Sequence, residues 1–174
     1  MNSPVIRTKI SSYMTVNDYN ECVSTHADGV YRFILKHVSD EAFAKDIVQE
    51  SFEKLWIKLD EVAATKAKSY LFTTAYHKMI DYIRKNKRIT SMDSVSIIEP
   101  SNRIDYSDLS EVLNEGLGRL PEVQRSVVLL RDYEGYSYDE IAQITELTTS
   151  QVKVYIYRGR LALRKYIGKM EAVI

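Results

Sequence analysis

The chain of 174 residues is poor in the residues that interrupt helices, with six glycines and three prolines, and no run of alternating apolar and polar residues supplies a strand signal. An all-α fold is expected. Its single cysteine, Cys22, excludes an internal disulfide framework and suits a reducing compartment. His26 stands one helical turn away, but no further Cys or His lies close in sequence, so a buried thiol is expected rather than half of a metal site. No apolar run reaches the length of a membrane span, and the first residues, MNSPVIRTKISS, lack a signal-peptide core; a cytoplasmic chain without membrane insertion is expected. The signatures of catalysis are missing as well: there is no Gly-rich phosphate loop, no G-x-S-x-G and no H-E-x-x-H, and His26, His37 and His77 stand in separate contexts. Neither an enzyme nor a cofactor, metal or small-molecule substrate is expected. Net charge is absent too, 24 Lys and Arg balancing 24 Asp and Glu, which looks wrong for a nucleic-acid binder. The zero is an average over segregated regions: Asp93, Glu99, Asp105, Asp108 and Glu111 face a single Arg103 in the middle, while bases cluster at 84–88 and after Gln151.

What is present begins with SYDEIAQITELTTSQVKVYIYRGRLALRK at 137–165. Ser137 with Glu140 is an S-x-x-E capping box, and Thr148 with Gln151 repeats the pattern, so two helices are expected to start there with a tight turn between them. That is the layout of a helix-turn-helix. Val152, Ile156, Gly159 and Leu163 share one stripe that should face the domain. The opposite side presents Ser150, Gln151, Val154, Tyr157 and Arg158 flanked by Lys153, Arg160 and Arg164, with no acid from 152 to 169, and suits a phosphate backbone.

Upstream, apolar spacing predicts one helix over 15–38, a second over 40–59 and a third over 67–87. The second has a core stripe of Ala44, Val48, Phe52, Leu55 and Leu59 and an acidic stripe of Asp46, Gln49, Glu50 and Glu53 beside Trp56; the latter is a poor DNA surface and a good protein-docking surface. The third runs from aromatics into Arg84-Lys85-Asn86-Lys87-Arg88, a composition suited to single-stranded or melting DNA, although some of Phe72, Tyr76 and Ile80 must pack inward. Residues 91–108 lose helical periodicity and read as a flexible acidic linker, which divides the chain into domains at 1–90 and 109–174. The second domain should hold a helix over 109–119 and another over 122–133, with Pro121 at its first position and Gly135 ending it.

DIVQESFEKLW at 46–56 followed by SYLFTTAYHKMIDYIRKNKR at 69–88 resembles region two of bacterial RNA polymerase sigma factors of the extracytoplasmic-function (ECF) group. LPEVQRSVVLLRDYEGYSYDEIA at 120–142, continued by VKVYIYRGRLALRK at 152–165, resembles their region four. The resemblance implies a factor that binds core RNA polymerase, recognises a two-part promoter DNA and helps open its minus-ten element; a stand-alone helix-turn-helix regulator is the alternative. It places Asp46, Gln49, Glu50, Glu53 and Trp56 against the polymerase. Lys66, Lys68, Ser69, Tyr70, Thr73, Tyr76, Arg84, Lys85, Lys87 and Arg88 fall to the minus-ten element. Ser150, Gln151, Val154, Tyr155, Tyr157 and Arg158 fall near bases of the minus-thirty-five element, with Lys153, Arg160 and Arg164 nearer its phosphates. An anti-sigma factor is a further partner that the family allows and that no residue here identifies. The chain departs from the family's L-G-I-S turn with Thr145-Glu146-Leu147-Thr148; a Glu fits there at low cost where the backbone stays out of the left-handed region.

Overall fold

The computed structural model describes residues 13–38, 40–92 and 109–171, without the side chains of 88–92, 109, 170 and 171. Seven α-helices account for most of these residues, and no strand occurs among them. They are α1 (Val16–Val38), α2 (Glu41–Ile57), α3 (Ala67–Met92), α4 (Leu109–Gly118), α5 (Glu122–Val128), α6 (Tyr138–Thr145) and α7 (Thr149–Glu171), with a short 3-10 turn at Ala64–Lys66. Helices α1 to α3 form one small domain and α4 to α7 a second.

The helix starts are those that side-chain chemistry dictates. Thr15 and Asp18 bond reciprocally ahead of α1, with Thr15 N to Asp18 Oδ2 at 2.8 Å and Asp18 N to Thr15 Oγ1 at 3.2 Å. Asp40 caps α2 by accepting from Phe43 N at 3.0 Å. In the N-terminal domain the apolar stripes meet as Val30, Phe33 and Ile34 of α1, Ala44, Ile47 and Leu55 of α2, and Leu71, Phe72 and Met79 of α3, all essentially out of water. Each of these side chains larger than alanine contributes roughly 1.5–3 kcal/mol by burial.

Several boundaries differ from expectation. Helix α2 ends at Ile57, because Lys58 N turns back to Leu55 O, and Leu59 lies beyond it. Helix α3 continues to Met92 rather than ending near 87, since Ile89 and Thr90 lower helix propensity only slightly and no Gly or Pro intervenes. The acidic linker otherwise falls on 93–108, outside the described residues. Pro121 is the N-cap of α5 with an extended ψ of 143°, one position ahead of the expected one. The segment after Val128 is not α-helical: Leu129–Tyr133 forms a π-turn, closed by Glu134 N to Leu129 O at 3.2 Å. The extra width lets Val127, Val128, Leu129 and Leu130 all be buried in succession. Gly135, at φ +74°, then reverses the chain into α6.

Candidate functional site

The acidic stripe of α2 lies on the outer face of the N-terminal domain, opposite the side that packs on α1 and α3. Asp46, Gln49 and Glu53 are exposed, and Gln49 Nε2 donates to Glu53 Oε1 at 3.0 Å. Glu50 is more constrained: Lys78 of α3 binds its carboxylate and Lys54 sits 3.4 Å away, and the hydrogen bond from Lys78 holds its pKa below the usual carboxylate range. At the end of the stripe Trp56 is 47% exposed while its ring rests edge-on against Tyr19 at 4.9 Å, and Ile57 beside it is 75% exposed. An aromatic that is braced from behind and open in front, next to acids, is an anchor for a protein surface.

In the C-terminal domain both capping boxes form. Glu140 N bonds Ser137 Oγ at 3.2 Å and Ser137 N bonds Glu140 Oε2 at 2.8 Å; Gln151 N bonds Thr148 Oγ1 at 3.2 Å and Thr148 N bonds Gln151 Oε1 at 2.8 Å. The backbone and side-chain bonds from Ser137 keep the Glu140 pKa below its ordinary value. Val152, Ile156, Gly159 and Leu163 face inward as expected. On the other side Ser150, Gln151, Lys153, Arg158, Arg160 and Arg164 are exposed, with Val154 at 44% and Tyr157 at 68%; Tyr155 is half-buried against the core. Two of the cations are held from behind, Lys153 over the Tyr138 ring at 5.6 Å and Arg160 by Asp132, whose carboxylate raises the guanidinium pKa.

The turn between α6 and α7 corrects the sequence reading. Glu146 adopts φ 57° and ψ 32°, the left-handed conformation itself, so the backbone does demand what a glycine would give freely. Its carboxylate reaches out of the domain, 3.6 Å from Nε2 of His77 on α3.

That contact belongs to a continuous seam between the domains. Lys68 Nζ donates to Glu134 O at 2.9 Å and lies 4.6 Å over the Tyr136 ring, which meets Phe72 edge-on at 5.5 Å. His37 Nε2 is 2.8 Å from Ser126 Oγ, and Arg125 donates to Lys36 O at 3.2 Å. Burial, reinforced by the nearby Arg125 cation and opposed by a bond to Phe33 O, pushes the His37 pKa down to about 4. Burial likewise raises the Tyr136 phenol strongly.

The expected minus-ten residues are therefore divided. Lys66, Arg84 and Lys85 are exposed, and Ser69, Tyr70 and Thr73 are half-buried. Lys68 is engaged as described, Lys87 pairs with Glu122 at 2.6 Å, and Tyr76 is 7% exposed and packs inward with Phe72 and Ile80. The side chain of Arg88 lies outside the described residues. Cys22 is buried and its thiol pKa is raised by that burial, as expected of a structural thiol. The seam residues His37, Arg125, Ser126 and Tyr136 carry no signal in the sequence, because their partners lie on helices far away along the chain. Glu146 alone stood out, as a departure from the turn pattern.

Two family models match the chain in order: Sigma-70 region 2 over residues 22–89 and Sigma-70 region 4 over 110–163. A stand-alone regulator would account for the second and not the first. The chain is 30% identical over 151 residues to RNA polymerase sigma factor SigV of Bacillus subtilis, covering 85% of this chain and 90% of that one. It is 27% identical over 153 residues to the ECF RNA polymerase sigma factor SigM of the same organism, covering 83% and 92% respectively. Its fold matches the sigma factor RpoE of Bartonella quintana, solved in complex with the anti-sigma factor NepR, with a TM-score of 0.73 at 24% identity over 88% of this chain and 98% of that one. The two ordered matches and the near full-length relatives place one conclusion beyond the helix-turn-helix: this chain belongs to the RNA polymerase sigma factors of the ECF group.

Proposed function

We propose that this sigma factor docks on core RNA polymerase through the α2 face of Asp46, Gln49, Glu50, Glu53 and Trp56, and reads promoter DNA with two separate surfaces. Helix α7 enters the major groove at the minus-thirty-five element, with Ser150, Gln151, Val154, Tyr157 and Arg158 toward base edges and Lys153, Arg160 and Arg164 toward phosphates. Helix α3, from Lys66 through Ser69, Tyr70, Thr73 and Tyr76 to the basic cluster at 84–88, engages the minus-ten element as it opens, rings taking up unstacked bases while cations hold the backbone. The units are residues 1–90 and 109–174, joined by the acidic segment 91–108.

The observation that carries this reading is the pairing of two unlike exposed faces on separate domains of one chain. The α2 face is acidic and ends in a braced Trp56; the α7 face is basic and starts at a capped helix N-terminus. Acids repel phosphates and attract a basic protein groove, so the two faces suit different partners. Catalysis then belongs to the polymerase, and the chain works in the cytoplasm beside it. Among the described residues no helix is long and apolar enough to cross a membrane. An anti-sigma factor fits as a regulator that competes for these faces.

Transcription in vitro from a promoter library, with purified core polymerase and with or without this chain, tests the assignment. New start sites sharing two spaced elements, together with co-elution of chain and core, are expected. Absence of both would sink it.

A further inference from the structure

We propose that the cleft between α1, α4 and α5 is a binding site for a free nucleotide, which sets its phosphates among Arg32, Lys36 and Arg125 and its base against Tyr133. The cleft holds a cavity of about 480 Å³ whose walls include Arg32, Leu35 and Lys36 of α1, Asn114 and Leu117 of α4, and Arg125 of α5. Sites for small organic molecules have this size and commonly lie, as this one does, where two domains meet. A second cavity of about 180 Å³ shares Arg32 and Lys36 with the first and adds Phe33, Leu129, Tyr133 and Glu134. The Lys36 ammonium joins them: it donates to Asn114 Oδ1 in one and lies 5.3 Å from the Tyr133 ring centroid in the other.

The charge in the larger cavity calls for an anion. Arg32 and Lys36 stand one turn apart on the same face of α1, an arrangement of like charges that by itself destabilises a helix. Arg125 comes in from α5, held by the carbonyls of Lys36 and Leu120 at 3.2 Å each, while its Nε is buried with no hydrogen-bond partner. Among the described residues no carboxylate lines this cavity, and none forms an ion pair with any of the three cations. Glu122, whose charge acts on Arg125, is taken by Lys87 at 2.6 Å. Burial, reinforced by the Arg32 charge, lowers the Lys36 pKa. A phosphoryl group, with nearly two negative charges and three acceptor oxygens, matches three such cations better than a carboxylate with one charge.

A phosphate alone would leave most of the space empty, and the remaining walls show what fills it. Leu35 and Leu117 give the larger cavity an apolar side. In the smaller one Tyr133 is 50% exposed, which leaves room for a base to stack on its ring. The carboxylate of Glu134 repels phosphate from that half and accepts from the amino edge of a base, which fixes the direction in which the ligand lies. Stacking tolerates any base, so the site selects for a nucleoside phosphate rather than for one nucleobase.

Calorimetric titration of the full chain with ADP, with inorganic pyrophosphate and with a single-stranded decanucleotide, at physiological salt, tests the site. ADP should bind one to one and at least about fivefold tighter than pyrophosphate, which has no base to stack. Arg32 is exposed and Lys36 half-buried, so Arg32→Gln and Lys36→Gln should keep the fold, as circular dichroism verifies, and each weaken ADP at least about tenfold. Tyr133→Leu should bring ADP down to the affinity of pyrophosphate, and Tyr133→Phe should bind as the parent does. Lys58→Gln removes an equal charge beside the other end of α1, roughly 25 Å along the helix from Arg32, and should change nothing. ADP that does not saturate overturns the proposal, and so does a loss as large in Lys58→Gln as in Arg32→Gln. Binding unchanged in both Arg32→Gln and Lys36→Gln places the nucleotide on another basic face and overturns it too. A decanucleotide that displaces ADP and itself loses affinity in Arg32→Gln shows a site for a nucleic-acid chain, which overturns the assignment to a free nucleotide.

Discussion

Gly159 of α7 and Val128 of α5 meet where the two helices cross: a Cβ at 159 would lie 2.7 Å from Val128 Cγ2. The β-branched valine is fully buried and has no room to turn away. Gly159→Ala should gain about 1 kcal/mol in helix propensity and lose more to overpacking, typically 1–3 kcal/mol, leaving a net loss. Thermal unfolding should shift downward, and affinity for minus-thirty-five duplex should fall because α7 is pushed off its seat. A variant as stable as the parent would show that the crossing can relax.

Docking of the α2 face has a specific charge signature. Asp46→Lys with Glu53→Lys should abolish co-elution with core polymerase and leave helical content unchanged, since neither side chain is buried. Glu50 is the less clean choice, because its reversal also breaks the pair with Lys78 inside the domain. Trp56→Ala should weaken core binding by about 2 kcal/mol or more, as expected of an anchoring aromatic. Unchanged core affinity in both variants would remove the docking assignment.

On α7, position should separate two kinds of loss. Arg164→Gln should weaken duplex binding evenly across sequences and lower the slope of log affinity against log salt by about one. Gln151→Ala should change sequence preference at one base pair, by about 1–3 kcal/mol, and leave the salt slope alone. Competition binding with a randomised minus-thirty-five duplex distinguishes them.

Acid should open the seam through His37. A histidine whose pKa is depressed in the closed form binds fewer protons there than when released, so its contribution is complete above about pH 6.5 and is lost as pH falls toward 4. At pH 5 the loss amounts to at most about 2 kcal/mol. The groups facing it are Arg125 and Ser126 from α5 and the Phe33 carbonyl of its own helix. Glu146 approaches His77 across the same seam. Measured in the Glu146→Gly background, which removes that contact, the radius of gyration should therefore rise between pH 7.5 and 5, before most carboxylates titrate. A radius constant over that interval would rule out His37 as the cause.

The helices, their starts and the two outward faces were legible because each depends on residues three or four apart. Ser137 and Glu140, Thr148 and Gln151, and the stripe ending at Trp56 all carry their meaning locally. The π-turn at Leu129–Tyr133 was not, because four consecutive apolar residues fit a buried helix equally well. Nor was the seam. His37 and Ser126, or Lys68 and Glu134, are joined by tertiary packing that periodicity does not encode, and so Lys68 read as a free DNA contact when its ammonium is tied to the Glu134 carbonyl.

The left-handed turn at Glu146 has an evolutionary side. Both glutamate codons become glycine codons by changing the middle base from A to G, so one point mutation separates the strained, reaching carboxylate from a relaxed turn. A single base change thus stands between two chemistries at the turn that seats the DNA-facing helix: a carboxylate carried toward His77 on a strained backbone, or a bare backbone at ease in the same conformation.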